Sequence, residues 1–391
     1  MKIGSKLLGL LFLAVFFMAA CVQSPQTGNT GTTNNSAPAS GKIKIGFAMA
    51  TVKEERWQRD RDAFQAHCTK MNVECVLTFA DNKPEKQLSD VEQLLTQGIN
   101  VLVIAPQEAT QAAQMVEKAK AKGIPVISYD RLINSDKIDV YISHQVPVIG
   151  RKIAEYAVQK VPKGNYVMVY GSSTDNNAKI MEKEQLAVIQ PLVDKGDIKI
   201  VANQYITDWK PEEALKFAEN ALTRNNDDIA AFVVSNDGMA GGVISALESK
   251  QLTGKIIVTG QDAEKAALQR IAEGKQSMTV YKPIIPLANA AVEAAIKLAK
   301  KESLADAKPF TNDAIKKDIP AILLEVMVVD KDNLMSTVVK DGYASNYRTL
   351  AETLALLSRH YQVTAVDRIY PDELESAFGT KQFYFEARRP T

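Results

Sequence analysis

Trp57 and Trp209 are the only two tryptophans in the chain, and each sits just past the end of an apolar run. Around such run ends lies a dense set of ionic and amide side chains: Arg56, Asp130, Arg131, Asn177, Asn236, Asp262 and Lys282. The set mixes hydrogen-bond donors and acceptors almost evenly. A sugar hydroxyl both donates and accepts, so it fits between a carboxylate and an Arg, Asn or Lys. The C–H patches of a sugar ring, in turn, suit a flat indole. Either tryptophan alone reads as a packing residue, and any single Asp or Asn as a helix N-cap. Asp175 and Asp237 read best as caps. Capping requires neither Arg nor Lys, however, and a helix N-terminus disfavours cations. A few charge-assisted hydrogen bonds of roughly 1.5–3 kcal/mol each, plus ring stacking, reach the ~8–12 kcal/mol of micromolar to nanomolar binding.

Paired carboxylates such as Asp130 and Asp262 are the kind of groups that do glycosidic acid–base work. The sequence nevertheless has no G-x-S-x-G, P-loop or H-E-x-x-H pattern, and its histidines, His67, His144 and His360, are scattered. It reads as a binder and not an enzyme, with no catalytic residue, metal or cofactor expected.

Those side chains need rigid elements at whose ends they can converge. From residue 42 onward, short β-branched runs alternate with longer amphipathic ones. Strands are predicted at 43–50, 73–80, 101–106, 125–130 and 140–144, then at 166–171, 198–206, 231–237, 256–262 and 278–282. Helices are predicted at 84–97, 111–122, 211–225 and 263–273, several with Pro near the start or Gly just past the end. Strands spaced by helical patterns make parallel βαβ units, and near-continuous apolar strands belong to sheets covered on both faces. In such sheets ligands bind beyond the carboxyl ends of the strands, where the ionic residues and both tryptophans fall. About ten such units exceed what one core usually holds. The α/β class therefore resolves into two doubly wound lobes, with a break near His144, and not a closed barrel. One more helix at 287–301 and one more strand at 321–329 are predicted to cross back between lobes. The tail, 344–391, has a helical start at 350–359 and then weaker, aromatic-bearing runs.

The N-terminus points to export. Lys2 and Lys6 precede an apolar stretch, 7–17, followed by Met18-Ala19-Ala20-Cys21. At about 1.5 Å per residue this stretch falls short of a roughly 30 Å hydrocarbon core, so it reads as the h-region of a signal. Small residues before a cysteine resemble a bacterial lipobox, with cleavage before Cys21 and lipidation of its sulfur. Met18 stands where Leu is usual, and a plain secretory signal is the alternative. Residues 22–41 are rich in Ser, Thr, Asn, Gly and Gln and read as a flexible tether. An exported compartment permits a bond between Cys68 and Cys75 if their Cα atoms lie within about 7 Å, while two buried free thiols are the alternative. With 47 basic against 46 acidic residues, the balance argues against a nucleic-acid surface and leaves neutral small molecules open.

The stretches ERWQRDRD (55–62), SYDRLIN (128–134), DNNAK (175–179), SNDGMAGG (235–242), GQDAE (260–264) and MTVYKP (278–283) carry a resemblance. Over about residues 42 to 343 the chain resembles bacterial periplasmic sugar-binding proteins of the ribose/galactose-binding type. SYDRLIN and TVYKP in this order are specific for the branch that binds D-xylose for ABC importers. The resemblance implies a type I periplasmic binding protein fold: two Rossmann-like lobes joined by a three-strand hinge, with the ligand in the cleft. It places Arg56, Trp57, Asp130 and Arg131 on the first lobe, Asn177, Trp209, Asn236 and Asp262 on the second, and Lys282 at a crossover. Gln145 stands where the family has Asp or Asn, so that contact is left out. The tail beyond Tyr343 has no counterpart.

These readings together give a domain plan and a role. The plan is a lipoprotein signal at 1–21, a linker at 22–41, a first lobe of 42–144 plus 283–315, a second of 145–282 plus 316–343, and an extension at 344–391. The role is that of a lipid-anchored, extracytoplasmic monomer that shuts on a monosaccharide, D-xylose first, and hands it to an ABC permease. The alternatives are a sensor subunit presenting its sugar to a receptor or histidine kinase, and a binder of ribose, arabinose or glucose.

Overall fold

The computed structural model describes residues 42–339, 362–368 and 383–388. The signal, Cys21, the linker and the helix at 350–359 lie outside these residues. The first lobe alternates β1 (Lys44–Met49), α1 (Glu55–Lys70), β2 (Glu74–Phe79), α2 (Pro84–Thr96), β3 (Val101–Ala105), α3 (Ala112–Ala121), β4 (Val126–Tyr129) and β5 (Val140–His144). These strands are parallel, in the spatial order β2-β1-β3-β4-β5. Strands such as β3, VLVIA, are buried along their whole length because helices cover both faces of the sheet. On one face α1 packs with α9 (Ile284–Ala299) through Trp57, Phe64, Leu287 and Val292; on the other lie α2 and α3 with Val91, Leu94, Met115 and Val116. Gly98 and Gly123 end α2 and α3 at φ near +71°, a conformation that favours glycine.

The second lobe repeats the pattern: α4 (Val146–Lys160), β6 (Gly164–Tyr170), α5 (Asn176–Asp194), β7 (Ile198–Tyr205), α6 (Pro211–Arg224), β8 (Ala231–Val234), α7 (Asp237–Ser249), β9 (Ile257–Val258), α8 (Lys265–Ala272) and β10 (Met278–Tyr281). Its parallel sheet runs β7-β6-β8-β9, the same order as the first. In both lobes the strand order reverses beside the first strand, which opens a crevice at the carboxyl ends.

The chain crosses between lobes three times: after β5, after β10, and between β12 (Lys317–Leu324) and β13 (Met327–Asp330). Here the structure corrects the sequence reading. The single strand expected at 321–329 is two, broken at Glu325-Val326, and the lobe boundary expected at 315/316 falls about ten residues later. β12 extends the first lobe's sheet, parallel to β5 and antiparallel to β11 (Lys308–Asn312), because Ile319 and Ala321 bury against that core. β13 pairs antiparallel with β10 in the second lobe. In the tail, β14 (Gln362–Arg368) and β15 (Phe383–Arg388) form an antiparallel pair. Cys68 and Cys75 are joined in a disulfide, Cα to Cα 6.2 Å, tying the end of α1 to β2; the free-thiol alternative does not hold.

Candidate ligand-binding site

All nine side chains singled out in the sequence line one pocket between the lobes, together with Glu54, Asp175 and Gln261. Its volume, mouth included, is about 380 Å³, within the range of small-molecule sites.

From the first lobe, the turn after β1 delivers Arg56 and Trp57 on the opening turn of α1. A cation at a helix N-terminus is unfavourable, and carboxylates offset it here. Asp60, one helical turn on, bonds the guanidinium at 3.0 Å, and Asp130 does so at 2.8 Å. Asp60 is itself fixed by the Tyr129 hydroxyl. The Arg56 and Arg131 guanidinium carbons lie 4.2 and 5.1 Å from the Trp57 ring centroid.

Asp130 leaves β4 with φ at +57°, a conformation rare for a residue with a side chain. Three groups hold its carbonyl there: Tyr141 Oη at 2.9 Å, Ser143 Oγ at 2.7 Å and Asn177 Nδ2 at 3.0 Å, the last from the opposite lobe.

From the second lobe, β6 leads into Gly171, where the indole of Trp209 lies so close that a Cβ would sit 2.1 Å from it. Trp209 (φ +59°) and Asp262 (φ +99°) share the left-handed region with Asp130. Such backbone strain collects at binding sites. Asp175 caps α5, accepting from Asn177 N–H at 2.9 Å, and also pairs with Arg131 at 2.9 Å. The cap reading of Asp175 therefore holds, but that of Asp237 does not. Asn236 caps α7 through Met239 N–H at 2.9 Å. Asp237 is instead a buried hub accepting from Gln276, Thr279 and the Glu264 N–H at 2.7, 2.8 and 3.0 Å. Lys282, at the second crossover, lies 2.7 Å from Asp262.

The pocket's charges support one another. Burial works against the Asp130 anion, but Arg56 and Lys282 outweigh it and hold that carboxyl far below the usual range. Arg56 stays firmly protonated despite burial, because Asp130, Asp60 and Asp262 surround it. Burial, then Lys282, pushes His144 down to about 3, so its imidazole is neutral. The pocket's ionic groups thus hold one another in place, which cuts the reorganisation that binding costs.

The profile of the periplasmic binding protein domain matches residues 45–303. The chain belongs to the periplasmic binding protein family. It is 44% identical over 310 residues to the D-xylose-binding periplasmic protein of Escherichia coli, covering 79% of this chain and 93% of that one. Identity to the D-xylose-binding periplasmic protein of Haemophilus influenzae is 41% over 312 residues, covering 80% and 93%. Among solved structures it is similar to a carbohydrate transporter solute binding protein from Chloroflexus aurantiacus in complex with D-glucose. That likeness has a TM-score of 0.72 and 30% identity, covering 80% of this chain and 98% of the other. The two-lobed, mostly parallel architecture of this periplasmic binding protein is the type I fold of the family.

Within that fold, three pocket residues escaped the sequence reading. Asp175 was seen only as a cap. Gln261 sits inside the quoted GQD stretch but carries no charge to mark it. Glu54 precedes the helix and looks like a solvated first-turn acid. Asp60, which fixes Arg56 from behind, was legible as an i, i+4 partner in ERWQRD.

Proposed function

We propose that this periplasmic binding protein takes up a monosaccharide, D-xylose, between its lobes and delivers it to an ABC permease. One observation carries the reading: two indoles from opposite lobes, Trp57 and Trp209, line one pocket with ten ionic or amide side chains. Aromatic faces at a polar rim match a ring that is apolar above and below and hydroxylated at its edge. The names of the relatives from Escherichia coli and Haemophilus influenzae support the choice of pentose. In this reading Arg56, Trp57, Asp130, Arg131, Asn177, Trp209, Asn236, Asp262 and Lys282 contact the sugar, and no bond is made or broken. The lobes open to admit the sugar, and closing on it is driven by tighter contact in the shut form.

Calorimetric titration of the purified protein with D-xylose, followed in parallel by tryptophan fluorescence, tests this. Binding at micromolar or tighter affinity is expected; neither heat nor spectral change with any aldose rejects it. The protein works at the outer face of a membrane as a monomer tethered by a lipid on Cys21, with 22–41 as its leash. Cys21→Ser is then expected to release the protein from membranes into the soluble fraction, and retention in the membrane fraction overturns the tether.

A further inference from the structure

Most of the pocket's acceptors are already engaged inside the protein. Asp130 accepts from Arg56 at 2.8 Å, Asp262 pairs with Lys282 at 2.7 Å, and Asp175 pairs with Arg131 at 2.9 Å. The Asn236 side-chain oxygen caps α7 at 2.9 Å. Glu54 differs. It lines the same pocket, and its Oε2 is buried without a hydrogen-bond partner among the described residues. A buried carboxylate oxygen left unpaired is costly. Every hydroxyl of a pyranose must also place its own hydrogen on some acceptor when it leaves water.

We infer that Glu54 is a further ligand-contacting and specificity-determining residue, whose Oε2 accepts the hydrogen of one sugar hydroxyl. The inference rests on the sugar reading above and deepens it. The position suits the task. Glu54 immediately precedes α1, so its side chain opens from the same turn as Arg56 and Trp57. The charged groups that face it are Arg131, Asp262 and Arg56. The two guanidinium groups favour its anion, while burial, the largest influence, and Asp262 disfavour it; the balance raises its pKa above the usual 4.5. A protonated carboxyl is a poorer acceptor than its anion, so sugar affinity declines as pH falls through that raised value.

The test is calorimetry on the full chain with D-xylose and its monodeoxy analogues, for wild type, Glu54→Met and Glu54→Gln, from pH 4 to pH 8. Glu54→Met is expected to weaken D-xylose about tenfold or more, and Glu54→Gln to recover part of that loss through its neutral oxygen. One deoxy analogue, lacking the hydroxyl that meets Glu54, is expected to bind wild type and Glu54→Met alike. Both variants should lose the acid-side decline, and unchanged melting temperatures would show that the fold is intact. Affinity within twofold of wild type in Glu54→Met, or the same factor lost for every analogue, overturns the inference. Wild type that binds no sugar sinks the sugar reading itself, a separate outcome visible before any variant is compared.

Discussion

At the scale of single residues, the pocket is held by contacts that tolerate no added atom. Gly171 is the clearest case: an added Cβ would meet the Trp209 ring at 2.1 to 2.4 Å. The indole, already at a left-handed backbone position and buried in the second lobe's core, must shift to make room. Overpacking of this kind costs roughly 1–3 kcal/mol. Here the cost falls on an indole that lines the pocket and that we propose meets the sugar. Gly171→Ala is therefore expected to weaken D-xylose binding about tenfold and to blunt the tryptophan fluorescence change. Gly238→Ala, where a Cβ would come no nearer than 3.6 Å to any neighbour, should bind like wild type. Equal affinities for the two variants would show that Trp209 does not depend on Gly171 for its place.

Among the elements, legibility followed how much of the signal was local. β3 and β8 are short apolar runs buried throughout, and helices opening on Pro84 or Pro211 carry their own punctuation. All nine candidate residues line the pocket because each lies in the connection past a strand's carboxyl end or in the first turn of the helix that follows. The misses are non-local. Nothing within 316–324 says that it belongs with β5, since that pairing joins residues far apart in sequence. Whether Asn236 or Asp237 caps α7 is decided by Gln276 and Thr279, which draw the Asp237 carboxylate inward. The Cys68–Cys75 bond depended on α1 ending just where β2 begins, a separation of 7 residues. Closing so short a loop stabilises by about 2–3 kcal/mol in the chain-entropy account. The left-handed backbone at Asp130, Trp209 and Asp262 has no sequence mark, since none of them is glycine.

For the molecule as a whole, the lobes are shut on each other, and titratable groups span the seam. Gln107 Nε2 meets Asp208 Oδ1 at 2.9 Å, Arg131 pairs with Asp175 at 2.9 Å, and the Lys265 N–H donates to Glu55 Oε2 at 3.0 Å. Beside the last contact Glu264, on the second lobe, is pushed up to about 9 by burial, then by Asp237, Asp262 and Glu55, with Arg270 opposing. Glu55 reaches it from the first lobe, so shutting the cleft raises this carboxyl further than the open form does. A carboxyl raised further in the shut state stabilises that state fully below its open-state value, and the stabilisation is lost as pH rises through about 9. In the proposed mechanism sugar binding draws on the shut state, so affinity is expected to fall between neutral pH and about 9.5, opposite in direction to the acid-side decline assigned to Glu54. Glu264→Gln, neutral at every pH, should keep its affinity across that range. An alkaline fall of equal size in wild type and Glu264→Gln would mean that closure does not depend on this proton.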